Sequence, residues 1–179
     1  MKPLILNYPI DRQYDLNAAL NKLLPAHFFG RLGGGSEQGG RRTDFNLHKQ
    51  GIKEVDELVT WINSVLPDVG AYYARLRSGE KCGFNANGFK ITNMWGIRYD
   101  KGDCVRPHNH FPFTLSLGYY ICTPKGCSPL KVKNTKINIH AGQCIFFLGS
   151  SWHSIAPEPI GGRCVIAANV LYRGGTHAN

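Results

Sequence analysis

From residue 88 onward the chain breaks into short apolar or alternating segments, 88–99, 114–122, 130–133, 136–139, 143–148 and 163–172. Turns rich in Gly, Pro, Asn and Lys divide them. Segments of this length at this spacing read as strands of an all-β barrel or sandwich. The chain carries 21 Gly and 10 Pro, which favours a turn-rich β fold over a helical bundle. Its 179 residues suit one domain with a real core.

Ahead of the strands the texture is helical. In 15–24, Leu16, Ala19, Leu20, Leu23 and Leu24 share a helical face, with Asp15 as cap and Pro25 as stop. In 52–66, Val55, Leu58, Val59, Ile62, Val65 and Leu66 recur at helical spacing. Pro67 is expected to interrupt, and a short second helix through Tyr72, Tyr73 and Leu76 to end near Gly79. Between the helical stretches, 30–42 is glycine-rich and reads as a mobile loop, either a connector or a lid. The expected architecture is α+β: one domain over 1–179, with 1–83 a helical support and 84–173 a β barrel.

A formal net charge of +9 raises the local concentration of anions. The basic residues are dispersed, which points to a soluble basic protein before a nucleic-acid binder. The N-terminus lacks an apolar export segment and no apolar run has the length of a membrane span, so a cytoplasmic location and no membrane partner are expected. The spacing of the six cysteines fits neither a paired zinc site nor a dense disulfide scaffold. Cys144 and Cys164 sit in apolar strands as small hydrophobes. Cys122 and Cys127 flank a Pro-Lys-Gly turn where a hairpin disulfide is conceivable.

Three of seven histidines stand apart. His108 and His110 occur two apart in RPHNHFPF, so on a strand both rings point to one face. His153 follows the strand in CIFFLGSSWHS as the candidate third ligand. Imidazole is a common metal ligand, and a three-ligand face leaves coordination positions open. Asp100 and Asp103 are nearby carboxylates that a bulge would bring in. Arg163 opens the apolar strand RCVIAANVLY and needs an anionic partner, either a ligand carboxylate or one from the protein. Phe146, Phe147 and Trp152 either wall the site or fill the barrel, core being favoured for the phenylalanines.

Trp95 to Tyr172 resembles the 2-oxoglutarate- and Fe(II)-dependent oxygenases, especially their prolyl-hydroxylase-like branch. The carrying pieces are W-G-I-R-Y-D-K-G-D before P-H-N-H, then L-S-L-G-Y-Y-I, A-G-Q-C-I-F-F-L-G-S-S-W-H-S-I-A-P and G-G-R-C-V-I. The resemblance implies a double-stranded β-helix with Fe(II) held by His108 and His153. It implies that Arg163 and Tyr120 bind the far carboxylate of 2-oxoglutarate, with Tyr99 near the cosubstrate. His110 stands where the family carries a carboxylate, leaving a metal site of three neutral imidazoles. The activity implied is hydroxylation of a protein or small-molecule substrate using 2-oxoglutarate and dioxygen. The arginine-rich signature of the nucleic-acid demethylases is poorly matched by Arg163, Asn169 and Arg173. The same residues also resemble cupin motifs, G-x5-H-x-H and G-x5-L-x-S-x2-H, with Thr114 at the cupin glutamate position. That alternative implies a three-His dioxygenase without 2-oxoglutarate. A non-catalytic β-helix binding protein is the third reading.

Overall fold

A computed structural model describes residues 1–29, 31–34, 37–79 and 86–174. Eleven strands form one sheet: β1 (Leu4–Asn7), β2 (Arg31–Gly34), β3 (Glu37–Arg42), β4 (Phe89–Tyr99), β5 (Cys104–His108), β6 (Leu115–Cys122), β7 (Leu130–Val132), β8 (Thr135–Ile137), β9 (Gln143–Leu148), β10 (His153–Ile155) and β11 (Arg163–Tyr172). The order is β1-β9-β6-β11-β4-β3-β5-β10-β7-β8, with β2 on β3, and the strand pairs are antiparallel.

Strand alternation sorts the apolar side chains into two cores. Leu117 and Tyr119 of β6, Cys144 and Phe146 of β9, and Ile166 and Ala168 of β11 face the helices. Their neighbours Tyr120, Ile145, Phe147 and Val165 form a second core with Trp95, Ile97 and Tyr99 of β4. That second core also takes Val105, Leu130, Val132 and Ile155 from β5, β7 and β10. Strands from both ends of the sheet order thus share one interior, so the sheet folds over on itself. Arg163 is in phase with Val165 and Ala167, which places it on the interior side.

Helix α1 (Ile10–Leu23) starts five residues before the expected Asp15, directly after Pro9, and buries Leu16 and Leu20. Helix α2 (Lys53–Ser78) is continuous, contrary to the expected break at Pro67. Val55, Leu58, Ile62, Leu66, Val69 and Tyr73 keep one stripe buried through the proline. Burying a side chain of this kind is worth about 1.5–3 kcal/mol, so the face outweighs the roughly 3 kcal/mol cost of an internal proline. Gly79, in the left-handed conformation, ends the helix as expected.

The first 83 residues are not helical support alone. β1 pairs with β9 through Leu4–Asn7, an edge strand added from the N-terminus. The glycine-rich stretch expected to be a mobile loop supplies β2 and β3, and β3 bridges β4 and β5. Glycine contributes backbone hydrogen-bonding groups without side-chain bulk. At Gly39, whose φ is +82°, a Cβ would meet the Asp103 carboxylate at 1.9 Å, so that close approach requires glycine. Gly30, residues 35–36 and the expected boundary at Gly83 lie outside the described residues.

Among the described cysteines, Cys104, Cys122, Cys127, Cys144 and Cys164 are free thiols, so the hairpin disulfide does not form. Cys122 packs against the helix-side core and Cys127 against the interior core, on opposite sides of the sheet. No helix among the described residues is long and apolar enough to cross a membrane.

Candidate metal centre

Strand register brings the first two histidines together. β10 runs antiparallel to β5 with His153 opposite His108. Residues directly opposed on neighbouring strands carry their side chains on one face, close enough to touch. The ring centroids are 4.2 Å apart. His110 arrives from the turn after β5, with its ring 4.9 Å from each of the other two. One nitrogen from each residue lies within 4.8 Å of the others, and these three make up the metal-capable group among the described residues.

The backbone fixes which nitrogen is free. His108 Nδ1 is 2.9 Å from the Arg106 carbonyl, and His153 Nδ1 is 3.3 Å from the Ser151 carbonyl. A carbonyl only accepts, so both Nδ1 atoms carry the proton and both Nε2 atoms keep a lone pair for a metal. Each bond reaches back two residues along the chain, so each ring is oriented by its own strand.

His110 is held through its backbone. Its N–H donates to the Gly149 carbonyl at 2.7 Å, and its carbonyl accepts from Phe113 N–H at 2.9 Å. Gly149 N–H donates to Thr114 O at 3.1 Å. A Cβ at Gly149 would lie 2.0 Å from the Phe113 carbonyl oxygen, so only glycine lets the two loops close. Phe147 packs its ring 4.7 Å from His153, and Trp95 lies edge-on to His110 at 6.0 Å.

Burial keeps the His110 and His153 rings neutral. Burial, reinforced by His108, pushes His110 down to about 4. Burial, then His108 and His110, pushes His153 down to about 3. Neutral imidazole is the form that ligates, so no proton has to be displaced near neutral pH. The donor set, three nitrogens with lone pairs converging and carbonyls behind two of them, fits a divalent metal such as Fe(II).

The nearby carboxylates do not join the cluster. Asp103 is buried, and its Oδ2 accepts the Asp100 N–H at 2.7 Å, closing the turn between β4 and β5. Asp100 faces Arg41 at 3.5 Å. The histidines open onto a cleft of about 540 Å³ including its mouth, walled by Ile97, Leu130, Phe147, Ile155 and Val165. Tyr99 and Tyr120 also line it, and burial raises the Tyr120 phenol to about 12, so it stays protonated as a donor. Tyr119 points the other way and donates to Asn17 Oδ1 at 2.7 Å. Trp95 lines the cleft with an indole N–H that has no acceptor among the described residues. Phe147 is both core and wall; Phe146 packs on the helix side, and Trp152 is 56% exposed and outside the cleft.

Arg163 is fully buried behind Tyr99 and Tyr120, its Cζ 5.7 Å from each ring centroid. The carboxylate that it was expected to need comes from the protein. Nη1 donates to Glu158 Oε1, and Nη2 donates to the Ser128 carbonyl at 2.6 Å. Glu158 Oε2 accepts the Ser128 N–H at 3.0 Å. Sequence reading missed Glu158. Its only signal was position, five residues before an arginine that required an anion. His27 and His140 stand apart from the cluster, as does His48, whose ring nitrogens are buried without partners; His177 lies outside the described residues.

No family model matches the chain, and no curated protein matches it. Solved structures do. A Pseudomonas putida prolyl-4-hydroxylase superposes with a TM-score of 0.69 at 13% identity, over 96% of this chain and 92% of that one. A viral collagen prolyl hydroxylase from Paramecium Bursaria Chlorella virus-1, solved as its 2OG complex, gives 0.60 at 18% identity, over 95% and 96%. An alpha-ketoglutarate-dependent non-heme epimerase from nogalamycin biosynthesis gives 0.64 at 14%, over 95% and 77%. The chain therefore shares the double-stranded β-helix fold of these proteins, with a three-histidine cluster in its barrel.

Proposed function

We propose that this chain is an Fe(II)- and 2-oxoglutarate-dependent oxygenase that hydroxylates a protein or small-molecule substrate. The observation that carries the reading is the cluster His108, His110 and His153, converging at an apolar cleft inside a barrel of this fold. The structural neighbours include prolyl hydroxylases and an epimerase of nogalamycin biosynthesis, which supports either substrate class.

Bound there, iron would supply dioxygen activation coupled to oxidative decarboxylation of the 2-oxo acid. The chain supplies the rest. Arg106 and Ser151 carbonyls orient the His108 and His153 rings. Phe147 holds the His153 ring from the side. The hydrocarbon walls exclude water, which strengthens polar contacts to a bound ligand and protects reactive species. Tyr120 remains a phenol able to donate a hydrogen bond into the cleft.

Anaerobic titration of the Fe(II)-loaded protein with 2-oxoglutarate tests this. A visible charge-transfer band at saturation, and succinate formation once oxygen is admitted, are expected. A protein that holds one iron and shows no band even at saturating 2-oxoglutarate would sink the reading. One observation favours a second reading, the three-His dioxygenase without 2-oxoglutarate: Arg163 already has a carboxylate, Glu158. Oxygen consumption by the iron-loaded protein with no 2-oxo acid present would favour that alternative.

A further inference from the structure

We infer that the cleft beneath the three histidines selects a 2-oxo acid with an uncharged tail, and that Glu158 is the residue that sets this preference. The inference rests on the part of the proposal above in which a 2-oxo acid chelates a metal at the histidines, and it revises the other part: 2-oxoglutarate is then a 2-oxo acid the site accepts, not the one it prefers. Its own basis is the charge balance of the cleft.

Among the described residues lining the cleft there is no lysine or arginine. The polar groups there, apart from the histidines, are neutral: the Tyr99 and Tyr120 phenols, the Trp95 indole and the Ser116 hydroxyl. Ser116 Oγ already donates to Asn169 Oδ1 at 2.8 Å. Among the described residues, the cation behind the two tyrosines is Arg163, and both it and Glu158 are 0% exposed; Arg42, opposite Ile97, is stacked on Phe45 beside Trp95. The terminal nitrogens of Arg163 are taken by Glu158 and by the Ser128 carbonyl.

A ligand carboxylate in this cleft has two options. It displaces Glu158 from Arg163 and leaves a buried protein carboxylate without its cation, or it stays in the cleft without a counter-charge. Each takes an ion out of water uncompensated. A hydrocarbon or hydroxyl tail incurs neither cost. Arg163 Nε has no partner among the described residues, but Glu158 already balances the guanidinium charge, so a neutral acceptor suits that N–H as well as an anion does.

The Glu158 carboxylate is separable from the loop closure around it. The bonds that tie residue 158 to the 100–103 turn are made by its backbone: Gly102 N–H donates to Glu158 O, and Glu158 N–H to Asp103 O, both at 2.8 Å. The side chain serves Arg163 and Ser128. Glu158→Gln keeps the shape and an acceptor oxygen while removing the charge.

The test compares 2-oxoglutarate with 2-oxopentanoate, which carries a methyl group in place of the far carboxylate at equal chain length. Affinities are measured anaerobically on the Fe(II)-loaded full chain by calorimetry and by the charge-transfer band. Wild type is expected to bind 2-oxopentanoate at least as tightly as 2-oxoglutarate. E158Q is expected to gain about tenfold or more for 2-oxoglutarate, the worth of one charge-assisted hydrogen bond, with 2-oxopentanoate nearly unchanged. Wild type binding 2-oxoglutarate more than about tenfold tighter than 2-oxopentanoate overturns the inference alone. So does an E158Q protein that folds and leaves the ratio of the two affinities unchanged. If E158Q does not fold, the wild-type comparison decides. If neither 2-oxo acid binds the iron-loaded wild type, this inference and the cosubstrate reading fall together.

Discussion

His108 and His153 are cross-strand partners, directly opposed where β5 meets β10. Two of the three candidate ligands are therefore placed by sheet register. His110 depends instead on a turn after β5 and on one hydrogen bond to Gly149. The three ligands should differ in how their removal is felt. His108→Ala and His153→Ala are each expected to weaken Fe(II) binding by more than about 100-fold, beyond the range for losing a supporting partner. His110→Ala should weaken it by a comparable factor. Competition with a chelator of known affinity reads all three. An unchanged affinity in the His110 variant would remove it from the ligand set.

Gly149→Ala is the sharpest probe of the support behind His110. The added methyl would lie 2.0 Å from the Phe113 carbonyl oxygen, a backbone atom that cannot rotate away. The loops carrying His110 and Phe113 must part from the 149–153 turn. Overpacking of this kind costs about 1–3 kcal/mol. The expected outcome is a lower urea midpoint together with weaker metal binding. Gly102→Ala serves as the control, because a Cβ there meets nothing within 4 Å, although its φ of +89° adds some backbone strain. It should lower stability without changing metal affinity once folded.

Much of the interior strand pattern was legible because alternation is a local signal. Segment 143–148 was read as a strand and is one, and alternation separates Phe147 in the cleft from Phe146 against the helices. The same alternation places Tyr120 in the cleft and turns Tyr119 towards Asn17. What escaped depends on distant partners. Residues 31–34 and 37–42 are too glycine-rich to show a strand pattern, and their strands are defined by pairing with each other and, for 37–42, with β4 and β5 far along the chain. The break expected at Pro67 fails because a buried stripe on both sides of it holds α2 together. Glu158 looked like a loop carboxylate, since nothing within its own segment announces that Arg163 will be buried against it.

The depressed histidines make the metal-free protein acid-sensitive in a defined window. In the unfolded chain an imidazole takes up its proton near 6.5. In the folded protein burial delays protonation to about 4 at His110 and about 3 at His153. Between those limits the unfolded state holds more protons, so folding stability falls as pH drops below 6.5 towards 3. Above about pH 7.5 both states are neutral at these sites and the contribution is flat. Urea midpoints between pH 7.5 and 4 should show this decline. The variant with His110 and His153 both replaced by Leu should show a shallower one. Equal slopes for the two proteins would mean that these rings do not carry the effect.

Arg163→Ala should be among the most damaging single changes in the chain, for a reason separate from any ligand. It leaves Glu158 buried without its cation and frees the Ser128 carbonyl of its donor. Breaking one side of a buried pair costs about 3–5 kcal/mol, whereas replacing both members by apolar side chains of similar volume is often close to neutral. The double variant Arg163→Met with Glu158→Leu should therefore recover most of the loss. For a domain of this size the single variant should melt roughly 6–20 °C lower than wild type. Thermal unfolding of wild type, Arg163→Met, Glu158→Leu and the double variant closes the cycle. A double variant no more stable than Arg163→Ala would show that the pair's value lies in its hydrogen bonds to the Ser128 backbone rather than in its mutual charge compensation.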